Sequence, residues 1–235
     1  MKKISLNTVH IVEKGTSSKL MKSQTNKHKR GSLIVFEGPE GSGKSTQLNK
    51  LVTYFKSNKV KTILLREPGG TEISEKIRSI ILDRAHTNMS EKTELLLYIA
   101  CRAQIIEEKI LKLLHEGYTI LQDRFYLATI VYQGYARGID RKWIDELNKF
   151  ALNGLKEDLT IIYDVTLAEA QKRMKKRVKK DRLDEEAAEF HTKVRNGYLK
   201  EAKKIANCIV ITTDNKDEKS VFKETINHLE RKGFI

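Results

Sequence analysis

The chain has 235 residues, of which 39% are hydrophobic, with two cysteines and a formal net charge of +14. That apolar content excludes a wholly disordered chain, and the length fits one α/β domain with an appendage or two small domains. Cys101 and Cys208 lie far apart, so they make neither a disulfide framework nor a metal knuckle and suit a reducing cytoplasm.

No run of about eighteen apolar residues is present, so no membrane span is expected. The charge invites a nucleic-acid reading, but its distribution argues against one. Half of it, +7, belongs to residues 1–30, where eight Lys/Arg face the single Glu13, and much of the rest sits in one run from Lys172 to Arg182. Neither the membrane nor nucleic acid is therefore an expected partner.

Residues 1–30 show no sustained apolar period and are rich in Lys, Ser, Thr and Asn. They read as a flexible basic tail outside the fold, with Met21 as an alternative start. A single arginine, Arg30, and the lack of an amphipathic face argue against an organelle signal.

From residue 31 the pattern alternates strand and helix, which predicts a parallel sheet covered on both faces. Leu33-Ile34-Val35-Phe36 is the first buried strand. Next comes Gly38-Pro39-Glu40-Gly41-Ser42-Gly43-Lys44-Ser45-Thr46, which contains G-x-x-x-x-G-K-[ST]. Leu48, Leu51, Val52 and Phe55 then recur at helical spacing, so a helix begins at about Lys44. A glycine-rich turn between a strand and a helix lets consecutive N–H groups converge on an anion at the positive helix end. The octet is thus a nucleotide-phosphate site, with Lys44 reaching the β/γ-phosphates and the Ser45 hydroxyl a Mg²⁺ ligand.

Thr62-Ile63-Leu64-Leu65 is the second strand, and Ile73, Ile77, Ile80 and Ile81 mark a helix over about 72–82. Ser90 to Glu94 reads as a capping box opening a long helix that ends at Gly117. Tyr118-Thr119-Ile120-Leu121 is the third strand, followed by helices over about 126–136 and 141–152. Leu159 to Tyr163 is the fourth strand, and a very basic helix spans about 168–180. A helix carrying Phe190, Val194 and Tyr198, the strand Cys208 to Ile211, and a helix through Val221, Ile226 and Leu229 close the chain. The expected fold is α/β with three layers: a five-stranded parallel sheet between helices, one domain over 31–235. Ligands in such sheets sit beyond the carboxyl ends of the strands, which singles out 38–45, 66–71, 123–133 and the basic run.

Taken as a set, the loop at 38–46, Arg66-Glu67-Pro68-Gly69-Gly70-Thr71, Asp123-Arg124-Phe125 and Tyr132-Gln133-Gly134 resembles thymidylate kinases of the bacterial type. Arg137-Gly138-Ile139-Asp140 and Arg182-Leu183-Asp184-Glu185 add to the match, which runs in order through residues 32–235. The resemblance implies transfer of a phosphoryl group from ATP to dTMP with Mg²⁺, supplying dTTP synthesis, in a cytoplasmic homodimer. It implies that Arg124 lies between acceptor and transferred phosphates, that Arg78 holds the dTMP phosphate, and that Glu40 and Glu67 face the acceptor. Arg102 and Gln133 match positions that hydrogen-bond thymine, Tyr98 an aromatic that stacks on it, and Thr129 a hydroxyl lining the pocket. Asp123 either holds Mg²⁺ through water or braces Arg124.

Gly41 stands where some relatives carry a loop arginine, so a lid over about 168–185 is expected to supply that charge, from Arg177 first, with Arg173 and Arg182 behind it. Tyr126 and Ala128 depart from the residues frequent at their positions in the family, and Cys101 is expected as a buried thiol against the base pocket. The competing enzyme class is another nucleoside or nucleoside-monophosphate kinase. A GTPase would carry Asn-Lys-x-Asp, which is absent.

Overall fold

Buried β-branched runs alternating with amphipathic helices assemble as a single parallel sheet in a computed structural model that describes residues 30–175 and 181–235. The elements are β1 (Leu33–Glu37), α1 (Lys44–Ser57), β2 (Thr62–Arg66), α2 (Glu72–Leu82) and α3 (Glu91–Ile105). A π-helical turn (Ile106–Ile110) joins α3 to α4 (Leu111–His115), and β3 (Thr119–Asp123) and α5 (Tyr126–Thr129) follow. A second π-helical turn (Ile130–Ala136) leads to α6 (Arg141–Leu152), β4 (Leu159–Asp164), α7 (Leu167–Lys175), α8 (Ala188–Ala202), β5 (Cys208–Thr212) and α9 (Glu218–Arg231). The expected tail lies almost wholly outside the described residues, as does the expected extension of the basic helix past Lys175.

The strand order is β2-β3-β1-β4-β5, every pairing parallel. This is the expected α/β, five-stranded architecture. β1 is central and buried along its whole length, and the period-two alternation of a strand divides its side chains between two faces. Ile34 and Phe36 pack under α1 and α9 with Leu48, Leu51, Phe55, Val221 and Leu229. Leu33 and Val35 pack on the opposite face with Ile105, Ile110, Leu114 and Phe125. A third cluster, with Ile99, Val131, Ile144, Val194 and Tyr198, joins α3, α6 and α8 beside it.

The chain leaves β3 for β4 by crossing over β1, so the sheet reverses direction next to the loop that follows β1. A crevice opens at such a reversal, beyond the strand ends.

Two local expectations need correction. Ser90 does cap α3, accepting from the Thr93 backbone N–H at 3.2 Å. Glu94 is no capping-box partner, because its carboxylate is taken by Gln133, Arg137 and Arg182. The helix expected over 126–136 is α-helical only to Thr129 and then widens to a π turn.

Leu51 is fully buried between α1 and the sheet. Leu51→Ala therefore should lower unfolding free energy by about 2–5 kcal/mol, read from chemical denaturation, with the far-UV spectrum unchanged.

Candidate active site

Beyond the carboxyl ends of β1, β2 and β3 lies a cleft of about 760 Å³ whose walls include Glu40, Lys44, Arg78, Tyr98, Asp123 and Arg124. Its floor is the loop 38–45. Gly38 has φ 141°, and a Cβ there would lie 2.4 Å from the Tyr163 carbonyl oxygen, so no side chain fits. At Gly41, φ 74°, a Cβ would lie 2.8 Å from the Ala170 carbonyl oxygen of α7. The start of α7 therefore packs where a loop side chain would otherwise stand.

α1 begins without a cap. Thr71, Ser90, Asp140 and Asp217 cap α2, α3, α6 and α9 with side-chain oxygens, whereas Gly43 has none to offer α1 and no acidic residue occupies its first turn. Its first N–H groups and the positive end of its dipole are left for an anion. Lys44, Ser45 and Thr46 all line the cleft. Lys44 is only 8% exposed and its ammonium is paired with the Asp123 carboxylate. Burial lowers the Lys44 pKa and Asp123 opposes that effect.

Arg124 follows β3 in the left-handed region, φ 65°. Glu37, fully buried at the end of β1, holds this turn by accepting the Phe125 N–H at 2.8 Å and the Ala128 N–H at 3.3 Å. Its other oxygen accepts the Tyr198 hydroxyl at 2.8 Å, and that hydroxyl accepts from Arg124 Nη1 at 2.9 Å. Arg124 Nη2 donates to Glu40 at 2.8 Å, and the Tyr132 hydroxyl donates to the same carboxylate at 2.7 Å. Burial works to raise the Glu40 carboxyl, but Arg124 and Tyr132 outweigh it and hold it below its usual value. At Glu37 burial wins, and the carboxyl is raised. Arg124 is thus braced by Glu40 and Tyr198, while Asp123 pairs with Lys44.

The other end of the cleft is lined by Glu67, Arg78, Tyr98, Thr129, Tyr132 and Gln133. Arg78 Nη1 donates to the Pro68 carbonyl at 2.7 Å. Arg102 lies behind this wall, 1% exposed, donating to Glu67 at 2.9 Å, Thr129 at 2.9 Å and Asn148 at 2.6 Å. Its guanidinium supports the pocket walls rather than forming one. Burial pushes the Glu67 carboxyl up to about 7 against the pull of Arg102.

The lid candidates separate. Arg173 lines the cleft, donating to the Gly41 carbonyl at 3.2 Å and to Thr213. Arg182 instead reaches the Ile81 carbonyl and Glu94, on the acceptor side. Arg177 lies outside the described residues. Tyr126 turns away from the cleft to Glu157, while Ala128 lines it.

The residues of the loop, the strand-end Asp123-Arg124 pair and the 129–133 segment therefore converge on one crevice. A family model for thymidylate kinase matches residues 36–225. The chain belongs to the thymidylate kinase family. A crystal structure of thymidylate kinase from Ehrlichia chaffeensis superposes with a TM-score of 0.69 at 33% identity, over 86% of this chain and 99% of that one. Like other thymidylate kinases, the protein is an enzyme that phosphorylates dTMP, and no helix among the described residues is long and apolar enough to cross a membrane.

Three participants escape sequence reasoning. Glu37 ends an apolar strand and Tyr198 keeps a core spacing, so neither advertises its polar contacts. Glu94 imitates a cap. The one available signal was Glu37 itself, a charge at the mouth of a buried strand.

Cys101 is buried against α2, its Sγ 3.6 Å from the Ser74 carbonyl oxygen, rather than in the cleft wall. Burial pushes its thiol up to about 11, and that of Cys208 likewise. Because the thiolate is the reactive form, iodoacetamide at neutral pH should label neither residue in the folded chain at the rate seen after denaturation. Rapid native labelling of Cys101 would contradict the α2–α3 packing.

Proposed function

We propose that residues 31–235 form the catalytic domain of an ATP:dTMP phosphotransferase with a lid at about 168–185. The cleft carries this reading: an open α1 N-terminus with Lys44 at one end, a pocket of Tyr98, Thr129 and Gln133 at the other, and Arg124 between. An oxygen of the dTMP phosphate attacks the γ-phosphorus of ATP, the β,γ-bridging P–O bond breaks, and its electron pair leaves with ADP. The acceptor is a phosphate monoester with a second pKa of about 6, so it attacks without a general base. What remains is to hold two anions in line and offset their repulsion, which fixed cations and N–H groups do.

In this scheme Lys44 and the loop N–H groups take the donor phosphates, Arg124 bridges donor and acceptor, and Arg78 takes the acceptor phosphate. Glu40 fixes Arg124 and faces the acceptor sugar, Tyr98 stacks on the base, and Gln133 and Thr129 read its edge. Glu67 and Arg102 support that pocket from behind. A Ser45 hydroxyl and an Asp123 carboxylate are oxygen donors suited to Mg²⁺, whose remaining positions belong to phosphate and water. When bound it supplies charge neutralisation across the β- and γ-phosphates. Arg173 and Arg182 are engaged by Gly41, Thr213, Ile81 and Glu94, so Arg177 is assigned as the lid arginine.

A deoxynucleoside kinase would instead need a free carboxylate to take a hydroxyl proton. Glu40 is held by Arg124 and Tyr132, and Glu67 by Arg102, which disfavours that alternative. Comparison of ADP release with dTMP, dUMP, AMP and thymidine tests the assignment. The expected result is preference for dTMP, together with a loss of ~10²-fold or more in turnover for Lys44→Ala. Faster turnover of thymidine, or an undiminished Lys44→Ala, would overturn it.

We further propose a homodimer formed through α2, α3 and α6, which pack side by side. Ile73, Ile80, Leu96, Trp143 and Phe150 are all exposed on these helices, Phe150 at 81%. Clustered apolar exposure of this kind marks an interaction surface. Sedimentation of the wild-type chain at twice 27.1 kDa and of Phe150→Glu nearer the single mass is expected; a monomeric wild type would refute it.

A further inference from the structure

A glutamine amide can turn either its NH₂ or its carbonyl toward a ligand, and which one it turns decides the base edge it can pair with. For Gln133 that orientation is imposed by Glu94. The Glu94 side chain, on α3, is 1% exposed and accepts Gln133 Nε2 at 2.7 Å. The same carboxylate accepts Arg137 Nε and Nη2 at 3.3 and 3.2 Å, and Arg182 Nη2. Burial works to raise this carboxyl, but the hydrogen bonds from Gln133, Arg137 and Arg182 outweigh it and keep it ionised. An ionised carboxylate has no proton to give, so only the amide nitrogen of Gln133 can face it. The Gln133 carbonyl oxygen, on a residue lining the cleft, is left as the acceptor.

Thr129 is fixed in the opposite sense. Its oxygen accepts from Arg102 Nη1 at 2.9 Å. A guanidinium accepts nothing, so the hydroxyl proton of Thr129 is available to a ligand. The cleft then offers an acceptor from 133 and a donor from 129. Thymine and uracil present an N3–H between two carbonyls and match both. Cytosine presents an unprotonated N3 and an amino group, and matches neither.

With the acceptor pocket read as above, we propose that Glu94 is a positioning residue for base choice, locking the Gln133 amide so that the pocket accepts a pyrimidine bearing N3–H and rejects cytosine. The methyl group that separates dTMP from dUMP lies outside its influence. Glu94 touches no substrate; it acts through Gln133.

The test is kcat/KM for dTMP and dCMP on the full chain, for wild type and Glu94→Gln, with circular dichroism and ATP-analogue binding as checks. In the variant the two arginines retain the oxygen of the new amide and its nitrogen turns to Gln133, whose own amide flips. The value for dTMP should fall by ~tenfold or more while that for dCMP rises. A merely structural role would lower both together. An unchanged ratio in a folded, ATP-binding Glu94→Gln chain, or a parallel fall, overturns the assignment. Where the single change does not fold, the charge-balanced pair Glu94→Gln/Arg182→Met carries the same comparison, and an unchanged ratio there overturns it equally. A wild-type chain that phosphorylates neither dTMP nor dUMP overturns the kinase reading beneath it instead.

Discussion

Lys44 and Arg124 are cations held largely out of water before any phosphate arrives, and everything else in the cleft follows from that. A charge in such a place needs a partner, or its desolvation is uncompensated. Asp123 and Glu40 are those partners. Each sits at or just beyond a strand end, so the sheet itself fixes the spacing between the two ion pairs. Incoming phosphates would enter a field already arranged, instead of organising flexible side chains as they bind, and preorganisation of this kind is where electrostatic catalysis gains most.

That arrangement extends one layer deeper. Glu37 leaves the end of β1 and holds the backbone of the turn after β3, so the geometry around Arg124 is tied to the central strand. Tyr198 brings α8 into the same network, as does His191, 3.8 Å from Glu40. α8 follows the segment assigned to the lid, which gives that segment a direct mechanical neighbour in the Arg124 site.

Much of this was legible in the sequence because the signals are local. Period-two burial marks Leu33–Glu37, helical spacing marks Leu48, Leu51 and Phe55, and glycine at 38 and 41 marks a backbone that no side chain can follow. Asp123-Arg124 was readable because charge directly after a buried strand must face the crevice or find a partner. What failed to show is decided by tertiary context. Glu94 stands four residues after a capping serine, and nothing in its neighbours announces arginines from 137 and 182. Arg102 keeps the spacing of a pocket residue but turns its guanidinium behind the wall, because Glu67 and Asn148 wait there. The π turns carry no sequence mark, since the same side chains suit an α-helix.

The closeness of Gly41 to Ala170 has a consequence for how such enzymes diverge. Loop and lid occupy one shared volume, so enlarging residue 41 obliges the first turn of α7 to back away. An arginine grafted into the loop would thus displace the helix meant to deliver its substitute. The two placements of that charge are sterically exclusive alternatives, and passage between them requires loop and helix to change in concert.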